Sequence, residues 1–359
     1  MRDFRAEGWP SMNLCADQLL AHLPPGVGAV DVAPAFVRVA SRIAPRSRTA
    51  FNADRFLNRH VFLPPVVRRA ARHADFVHVV DHSYAHAVAA VPPGRAGVYC
   101  HDLDAFRSVL EPDKAPRPWW FRRMARRTLD GLRRAIVVFH STHEIGAELV
   151  RHGVAPADRL VHAPYGVADE FTPAHDPTIA LPVVTTHPYL LSVASGAPRK
   201  RLDVLLDVFA AVRERVPGLR LVRVGGPWPP GLADRVAELG PAVTHVGGLS
   251  RGQLAELYRR AAAVLVTSDA EGFGLPVIEA LACGAIVVAS DLPTLREAGG
   301  DAAIYCSVAD VPTWAGVVTT FLTDPRDAPA RNLRLRHAAR FSWGEHARII
   351  TESYQRLRS

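Results

Sequence analysis

Two glutamates, Glu271 and Glu279, lie eight positions apart at the ends of the segment EGFGLPVIE. Gly272 and Gly274 stand between them, and Pro276 suits the first position of a helix. Glycines let a ligand approach the main chain closely, and a helix start favours an anion such as phosphate. Carboxylates accept hydrogen bonds from hydroxyl groups. The spacing therefore predicts a ligand with phosphate and hydroxyl groups, although Glu279 alone could simply favour the helix dipole.

The elements around these glutamates alternate between strand and helix. Apolar strands without a two-residue alternation are typical of a parallel sheet covered by helices on both faces. Ligands bind such sheets beyond the carboxyl ends of the strands, which is where Glu271 is predicted to lie. The predicted strands are 189–195, 219–226, 242–248, 263–268 and 285–290, and the predicted helices are 201–218, 230–240, 250–261 and 276–284.

The first half of the chain has a similar but less regular pattern. The segment 168–182 is rich in proline and polar residues without periodicity, and it is predicted to link two domains. A cleft between two such domains is the natural place for a ligand. The predicted strands are 29–34, 75–82, 96–102, 133–141 and 158–167, and the predicted helices are 11–23 and 142–153.

Composition narrows the class of protein. The chain has 359 residues, more than one hydrophobic core usually serves, with 48% hydrophobic and 22% charged residues. It shows no signal-peptide pattern and no apolar run of about 18 residues, so we expect a cytoplasmic location. Four widely separated cysteines argue against structural zinc and against a disulfide framework. The net charge of +8 is almost all arginine and could face nucleic acid, anionic lipid or a nucleotide substrate.

The segment EGFGLPVIEALACG resembles the E-x7-E signature of retaining glycosyltransferases of family 4, which have the two-domain GT-B fold. The resemblance implies two doubly wound, Rossmann-like parallel-sheet domains facing a cleft: an acceptor-side domain over 1–170 and a nucleotide-sugar-binding domain over 171–340. A closing helix over 341–359 would cross back to the first domain. The other matching segments are SVASGAPRKRLDVLL (192–206), HAPYGVADEFTP (162–173) and RFSWGEHARIITESY (340–354).

The resemblance also implies roles for single residues. Glu279 would bind the ribose hydroxyls, and Glu271 would contact the hydroxyls of the donor sugar. Arg199 and Lys200 would neutralise the leaving diphosphate, where fixed cations act most strongly in the transition state. Many family members carry another Arg or Lys six residues before the lysine, where this chain has Ala194. Either the diphosphate has fewer contacts here, or another arginine substitutes. The main chain that would hold the sugar and the diphosphate is that of Gly272, Phe273, Gly274 and Leu275.

Candidate residues of the first domain follow strand ends. The resemblance implies that His101 contacts the sugar or the acceptor, while capping of the local backbone is the alternative. Asp102 and His82 are further candidates to line the cleft. Gly8 belongs to a loop that borders the acceptor site in the family, and most of the strand that normally precedes this loop is missing here.

The segment 117–134, RPWWFRRMARRTLDGLRR, combines many arginines with Trp119 and Trp120. As a helix it could lie on an anionic membrane, which would place the protein at the inner face of that membrane. A packed helix with solvated arginines is the alternative, because Leu129 and Leu132 can equally face a core.

The predicted function is that of a retaining, metal-independent glycosyltransferase without a cofactor. It would move a sugar from a nucleotide-diphosphate sugar to a hydroxyl acceptor, since no DxD-type carboxylate pair is plausibly placed to hold a divalent ion. The alternatives are a nucleotide-sugar epimerase of the same fold, a non-catalytic subunit, and a basic nucleic-acid-binding protein. Interleaved aromatic and basic residues occur only in 117–134, so we expect no nucleic-acid partner.

Overall fold

The fold is that of a computed structural model, which describes residues 1–182 and 187–358. The chain forms two compact units. The first unit comprises Met1–Tyr165 together with the C-terminal helix that starts at Trp343, and the second unit comprises Gly166–Ser342. Each unit contains one sheet, and every paired strand in both sheets is parallel to its neighbour. The predicted α/β class is therefore confirmed.

The sheet of the first unit follows chain order. Short runs of β-branched residues form its strands because they fit a pleated surface that is covered on both faces. Val79, Val98 and Val138 are fully buried. The described strands show no reversal of order in this sheet. The strands are β1 (Val77–Val79), β2 (Ala96–Cys100), β3 (Val137–His140) and β4 (Leu160–His162).

Helices cover this sheet and extend well beyond it. A π-helical turn at Asn58–Phe62 joins the third and fourth helices. The helices are α1 (Pro10–Ala21), α2 (Ala40–Ile43), α3 (Arg48–Leu57), α4 (Leu63–Ala70), α5 (Arg107–Leu110), α6 (Trp119–Arg134), α7 (His143–Arg151) and the C-terminal α15 (Trp343–Arg358).

The strand predicted at 29–34 is wrong. These residues form no regular secondary structure, and Val30 is 82% exposed. The place beside β1 is taken by Met1, whose amino group donates to the carbonyl of His78 at 2.7 Å and whose carbonyl accepts from the amide of Val80 at 3.1 Å. An apolar run without a neighbouring strand cannot satisfy its backbone groups in a sheet.

The sheet of the second unit has the strand order β7-β6-β5-β8-β9-β10. The chain first adds strands on one side of β5 and then returns to add β8 on the other side. This reversal leaves a crevice outside the carboxyl ends of β5 and β8, which is where ligands bind doubly wound sheets. The strands are β5 (Tyr189–Val193), β6 (Arg220–Val224), β7 (Val243–Val246), β8 (Ala263–Val266), β9 (Val287–Ser290) and β10 (Ile304–Cys306).

Helices on both faces of this sheet fix the loops at its edges. Leu205 and Phe209 are fully buried, in one core cluster with Trp314. The helices are α8 (Leu202–Arg215), α9 (Ala233–Leu239), α10 (Arg251–Arg260), α11 (Leu275–Ala282), α12 (Pro293–Gly299), α13 (Val311–Thr323) and α14 (Arg331–Ala338). In the part of the chain that the structure describes, no helix combines the length and apolar character needed to cross a membrane.

Candidate functional site

The carboxylate of Glu271 is the centre of a polar cluster in the second unit. Lys200 forms an ion pair with Oε1, and the hydroxyl of Ser268 donates to the same oxygen at 2.7 Å. Nη1 of Arg199 lies 3.5 Å from Oε2, and the Glu271 side chain is only 7% exposed. Because Lys200 follows β5 and Glu271 follows β8, the cluster spans the point where the strand order reverses. The structure thus brings three predicted site residues together.

Backbone contacts fix the two cations in place. Arg199 and Lys200 lie in a 3-10 turn, Pro198–Lys200. The hydroxyl of Thr267 donates to the carbonyl of Lys200 at 3.1 Å, and the amide of Asp269 donates to the carbonyl of Arg199 at 2.9 Å. The loop after β8 therefore fixes the loop after β5 by hydrogen bonds. As a result, Arg199 and Lys200 are already in position before a ligand binds.

Glu279 lies on α11 and is 8% exposed. The hydroxyl of Tyr258 donates to its Oε2 at 3.0 Å. Burial raises the pKa of Glu279 to about 7, and the hydrogen bond from Tyr258 opposes the shift. The carboxyl therefore titrates close to neutral pH. Among the described residues, no hydrogen bond joins Glu279 to Glu271.

The start of α11 has the backbone that the glycines predict. Gly274 has a φ of 105°, and a Cβ there would meet Cδ2 of Leu295 at 2.7 Å. No side chain within residues 1–182 and 187–358 caps this helix start, so the amide of Leu275 stays available to an anion. Phe273 is buried, and its ring meets that of Phe341 edge-on with centroids 5.7 Å apart.

Arg223 is a candidate that the sequence reasoning missed. It lies on β6 and is fully buried, and its guanidinium donates to the carbonyls of Ala194 at 3.0 Å and Gly226 at 2.6 Å. The guanidinium also lies 4.6 Å from the ring centroid of Trp228, and burial lowers its pKa. Ala194 is the position where the family resemblance expects a cation. The signal in the sequence was the second arginine of LRLVRV, which stands between valines inside the predicted strand, whereas the first arginine, Arg220, stands near its start.

In the first unit, His82 and His101 lie side by side in the interior. The backbone amide of His101 donates to Nδ1 of His82 at 3.1 Å. Nε2 of His101 donates to the carbonyl of Val80 at 2.7 Å, and Nδ1 accepts from the hydroxyl of Tyr165. Burial lowers the pKa of His101 to about 4, so the imidazole is neutral at physiological pH. Both ring nitrogens are occupied within this unit.

Two aspartates flank this pair of histidines. Nε2 of His82 lies 3.7 Å from Oδ1 of Asp102. Asp81 accepts from the amide and the hydroxyl of Ser83, at 2.8 and 2.7 Å. Asp81, His82 and His101 could bring three metal ligands within 4.8 Å of one another. Because the ring nitrogens of His101 and Nδ1 of His82 are already hydrogen-bonded, the geometry favours a hydrogen-bonded cluster over an ion site.

Gly8 lies at the end of an anchored N-terminal turn. Its φ of 73° closes the turn Arg5–Glu7. The side chain of Glu7 is fully buried, pairs with Arg59, and accepts from the hydroxyl of Tyr84 at 2.7 Å. The structure therefore fixes the loop at Gly8 through Glu7, a residue that the sequence analysis did not single out.

Comparison with known proteins addresses the second unit most directly. Residues 180–340 match the family of glycosyl transferases group 1. The predicted resemblance to glycosyltransferases is confirmed for this segment, which contains Arg199, Lys200, Glu271 and Glu279. The match does not by itself identify family 4.

Curated relatives align over part of their length. The chain is 38% identical over 172 residues to the D-inositol 3-phosphate glycosyltransferase of Rhodococcus erythropolis, an alignment that covers 44% of this chain and 39% of the relative. It is 33% identical over 233 residues to the enzyme of the same name from Rhodococcus opacus, covering 60% and 52%. The chain thus spans about two fifths to half of the length of these relatives.

Solved structures match over more of the chain. Sucrose-phosphate synthase from Thermosynechococcus elongatus has a TM-score of 0.70 at 22% identity, covering 97% of this chain and 92% of that one. HepE of Anabaena, solved in complex with UDP-glucose, has a TM-score of 0.65 at 18% identity, covering 81% and 82%. At these identities the likeness concerns the fold alone, and it confirms the predicted GT-B fold.

Proposed function

We propose that this protein is a retaining glycosyltransferase that uses a nucleotide-diphosphate sugar. The observation that carries the proposal is the cluster of Arg199, Lys200 and Glu271 at the strand-order reversal of the unit that matches glycosyl transferases group 1. Two fixed cations beside a carboxylate at this edge suit a ligand that carries a diphosphate and a hydroxylated ring.

Binding of the donor would replace Glu271 by the diphosphate as the partner of Lys200 and Arg199. In the free protein Glu271 forms an ion pair with Lys200. A diphosphate carries more negative charge than one carboxylate and would draw Lys200 and Arg199 to itself, together with the amides at the start of α11. Glu271 would then be free to accept hydrogen bonds from the sugar hydroxyls. Glu279 would accept from the ribose hydroxyls in the same way.

The cations would also act in the chemical step. As the bond between the anomeric carbon and the diphosphate oxygen breaks, negative charge builds on that oxygen beside Lys200 and Arg199. Preorganised donors at such a point typically account for roughly a 100- to 1000-fold change in kcat. The acceptor hydroxyl would attack from the face that the diphosphate leaves, and its proton would pass to the departing phosphate. This scheme uses no metal ion or cofactor.

The first unit would serve the acceptor. His101 would contact the sugar or the acceptor hydroxyl only after it exchanged its bond to Val80 or Tyr165, because both ring nitrogens are otherwise engaged. His82 and Asp102 lie next to it and would accept or donate along the same edge of the unit. The names of the curated relatives make D-inositol 3-phosphate one acceptor to test.

The helix α6 suggests a second property of the protein. Its buried face contains Leu129 and Leu132, so it packs on the core as the alternative interpretation requires. Its other face exposes several arginines, and Trp119 and Trp120 at its start are 76% and 52% exposed. We propose that this face contacts anionic membranes peripherally, because basic side chains with interfacial tryptophans suit that surface.

Product configuration tests the proposed reaction. The protein is incubated with a panel of nucleotide-diphosphate sugars, with D-inositol 3-phosphate or water as acceptor, and the product is observed by NMR before its anomers equilibrate. We expect a product with the anomeric configuration of the donor. An inverted product would overturn the retaining mechanism, and an isomerised nucleotide sugar without transfer would favour the epimerase.

A further inference from the structure

A pocket of about 340 Å³ opens in the second unit, away from the cluster around Glu271. Its volume lies at the lower end of the range for small-molecule sites. Four of its seven lining residues are basic in type, and none is acidic. The lining residues are Pro173, His175, Arg259, Arg260, Cys283, Gly284 and Arg331.

The pocket lies at the amino edge of the sheet. Arg260 comes shortly before β8, and Gly284 comes shortly before β9. Glu271, in contrast, follows the carboxyl end of β8. In a parallel sheet all strands start at one edge and end at the other, so the pocket and the proposed donor site lie at opposite edges.

Glu256 satisfies only part of the positive charge around this pocket. Its buried carboxylate pairs with Arg259 at 2.5 Å, with Nδ1 of His175 at 2.7 Å and with Nε of Arg260 at 3.4 Å. Arg259 is further held by the carbonyl of Thr172 at 2.7 Å. One carboxylate therefore faces two arginines and a histidine, before Arg331 is considered.

Arg331 adds a cation that has no carboxylate partner in the described part of the chain. Its closest polar contact there is a 3.5 Å hydrogen bond from Nη2 to the carbonyl of Pro173. The guanidinium also approaches Gly284, where an added Cβ would lie 2.9 Å from Nε. Most of the five donors of this guanidinium thus remain open to a ligand.

Arg334, one turn further along α14, is a second and independent sign of a missing anion. It is 8% exposed, and its Nε and Nη1 are buried without a hydrogen-bond partner among the described residues. Burial and the nearby Arg331 both lower the pKa of Arg334. A buried cation without a counter-charge is unfavourable, and a bound anion would supply that counter-charge.

We propose that this pocket binds a small molecule through its phosphate group. The guanidinium groups of Arg260 and Arg331 hold the phosphate oxygens in the forked geometry that arginine offers, and Arg334, one turn further along α14, adds positive potential near Arg331. Phosphate suits the site better than a single carboxylate because at least two cations lack a full partner. Since Pro173 and His175 belong to the segment that enters the second unit, a bound phosphate also fastens that segment to α10.

Calorimetric titration of the full chain tests the site. The probes are inorganic phosphate, glucose 6-phosphate and, as the uncharged control, glucose. We expect both phosphate compounds to bind and glucose not to bind, with tighter binding of the ester if the pocket takes a phosphorylated metabolite and equal binding if it takes free phosphate. Absence of binding by both compounds overturns the proposal.

Matched variants locate the binding. The double variant Arg260→Gln with Arg331→Gln is expected to weaken phosphate binding at least about tenfold, and Arg331→Gln alone gives the same direction with little risk to folding. Arg336→Gln removes an exposed charge from the same helix and should leave the affinity unchanged. Lys200→Ala should also leave it unchanged, because that lysine belongs to the donor site. Loss of binding in Lys200→Ala, or unchanged binding in the double variant, would overturn the proposal.

Discussion

At the scale of single residues, Glu271 holds the cations that a diphosphate would need. Lys200 pairs with its carboxylate, and Ser268 donates to it, so part of the positive charge of the site is balanced internally before a ligand binds. A ligand that takes over the cations also releases the carboxylate. Glu271 therefore links recognition of the diphosphate to recognition of the sugar.

If the diphosphate replaces Glu271 as the partner of Lys200, one substitution should affect binding and catalysis in opposite directions. Glu271→Gln removes the internal competitor for Lys200 but keeps the shape of the side chain. We expect a nucleoside diphosphate to bind at least as tightly as to the wild type, while kcat with the nucleotide sugar falls by roughly 100-fold or more. Calorimetry and a transfer assay measure the two quantities. An equal loss in both would show that Glu271 only maintains the structure.

Glu279 gives a prediction on stability and pH. Its pKa in the folded protein is about 7, above the ordinary 4.5, so the folded state binds the proton more tightly than the unfolded state. The contribution of this group to the free energy of unfolding is fully present below pH 4.5 and is lost as the pH rises through 7. The total loss is about 3 kcal/mol. Glu279→Gln lacks this dependence.

Urea unfolding of both proteins at pH 5 and pH 8 measures the effect. We expect the free energy of unfolding of the wild type to fall relative to that of Glu279→Gln over this range. If the free energy of unfolding changed equally with pH in the two proteins, burial would not raise the pKa of Glu279.

At the scale of elements, the sequence predicted most of what positions the site. The runs around 189–195 and 263–268 became β5 and β8 because short, mostly apolar runs of this length are typical of buried parallel strands. Gly274 and Pro276 also predicted where α11 starts. These local signals determined where Glu271 and Lys200 lie along the chain, and the parallel arrangement then brought them to one edge.

Non-local contacts could not be predicted in the same way. The run 29–34 has strand composition, but Met1 and not this run lies beside β1. Arg223 looks like an interruption of a strand until the fold places Ala194 and Gly226 around its guanidinium. Pairing of Glu271 with Lys200 likewise depends on two loops that are about 70 positions apart.

Arg223 is predicted to position the loop that carries the cations. Arg223→Met leaves the carbonyl of Ala194 without its donor, so we expect nucleoside diphosphate affinity to fall about tenfold. Thermal stability should change little, because the buried Arg223 has no carboxylate partner among the described residues and methionine is an apolar side chain of similar length. Arg220→Met, at the start of the same strand, is the matched control. A large loss of stability with unchanged affinity would contradict the positioning role.

At the scale of the whole molecule, the net charge of +8 belongs to the first unit, because the 17 lysines and arginines of the second unit face 18 aspartates and glutamates. In the first unit, the exposed arginines of α6 stand beside two exposed tryptophans. In the second unit, Lys200 and Arg199 lie at one edge of the sheet and the pocket around Arg331 lies at the other. These three groups of basic residues suit three different anionic partners: a membrane at α6, a diphosphate at Lys200 and Arg199, and a phosphate at the pocket around Arg331.

Sedimentation with vesicles tests the membrane contact. We expect binding to vesicles that contain anionic lipid, several-fold weaker binding at high salt, and a similar loss in the double variant Trp119→Ala with Trp120→Ala. Trp9→Ala removes another exposed tryptophan of the same unit and should have no effect. Equal binding to uncharged vesicles, or no loss in the double variant, would contradict a role for this face.

The most direct test of the central claim is thermal unfolding in the presence of a panel of nucleoside diphosphates. We expect at least one of them to raise the Tm of the wild type, and we expect the shift to disappear in Lys200→Ala and to remain in Lys114→Ala. The central claim would be contradicted if no nucleoside diphosphate raised the Tm, or if Lys200→Ala kept the full shift.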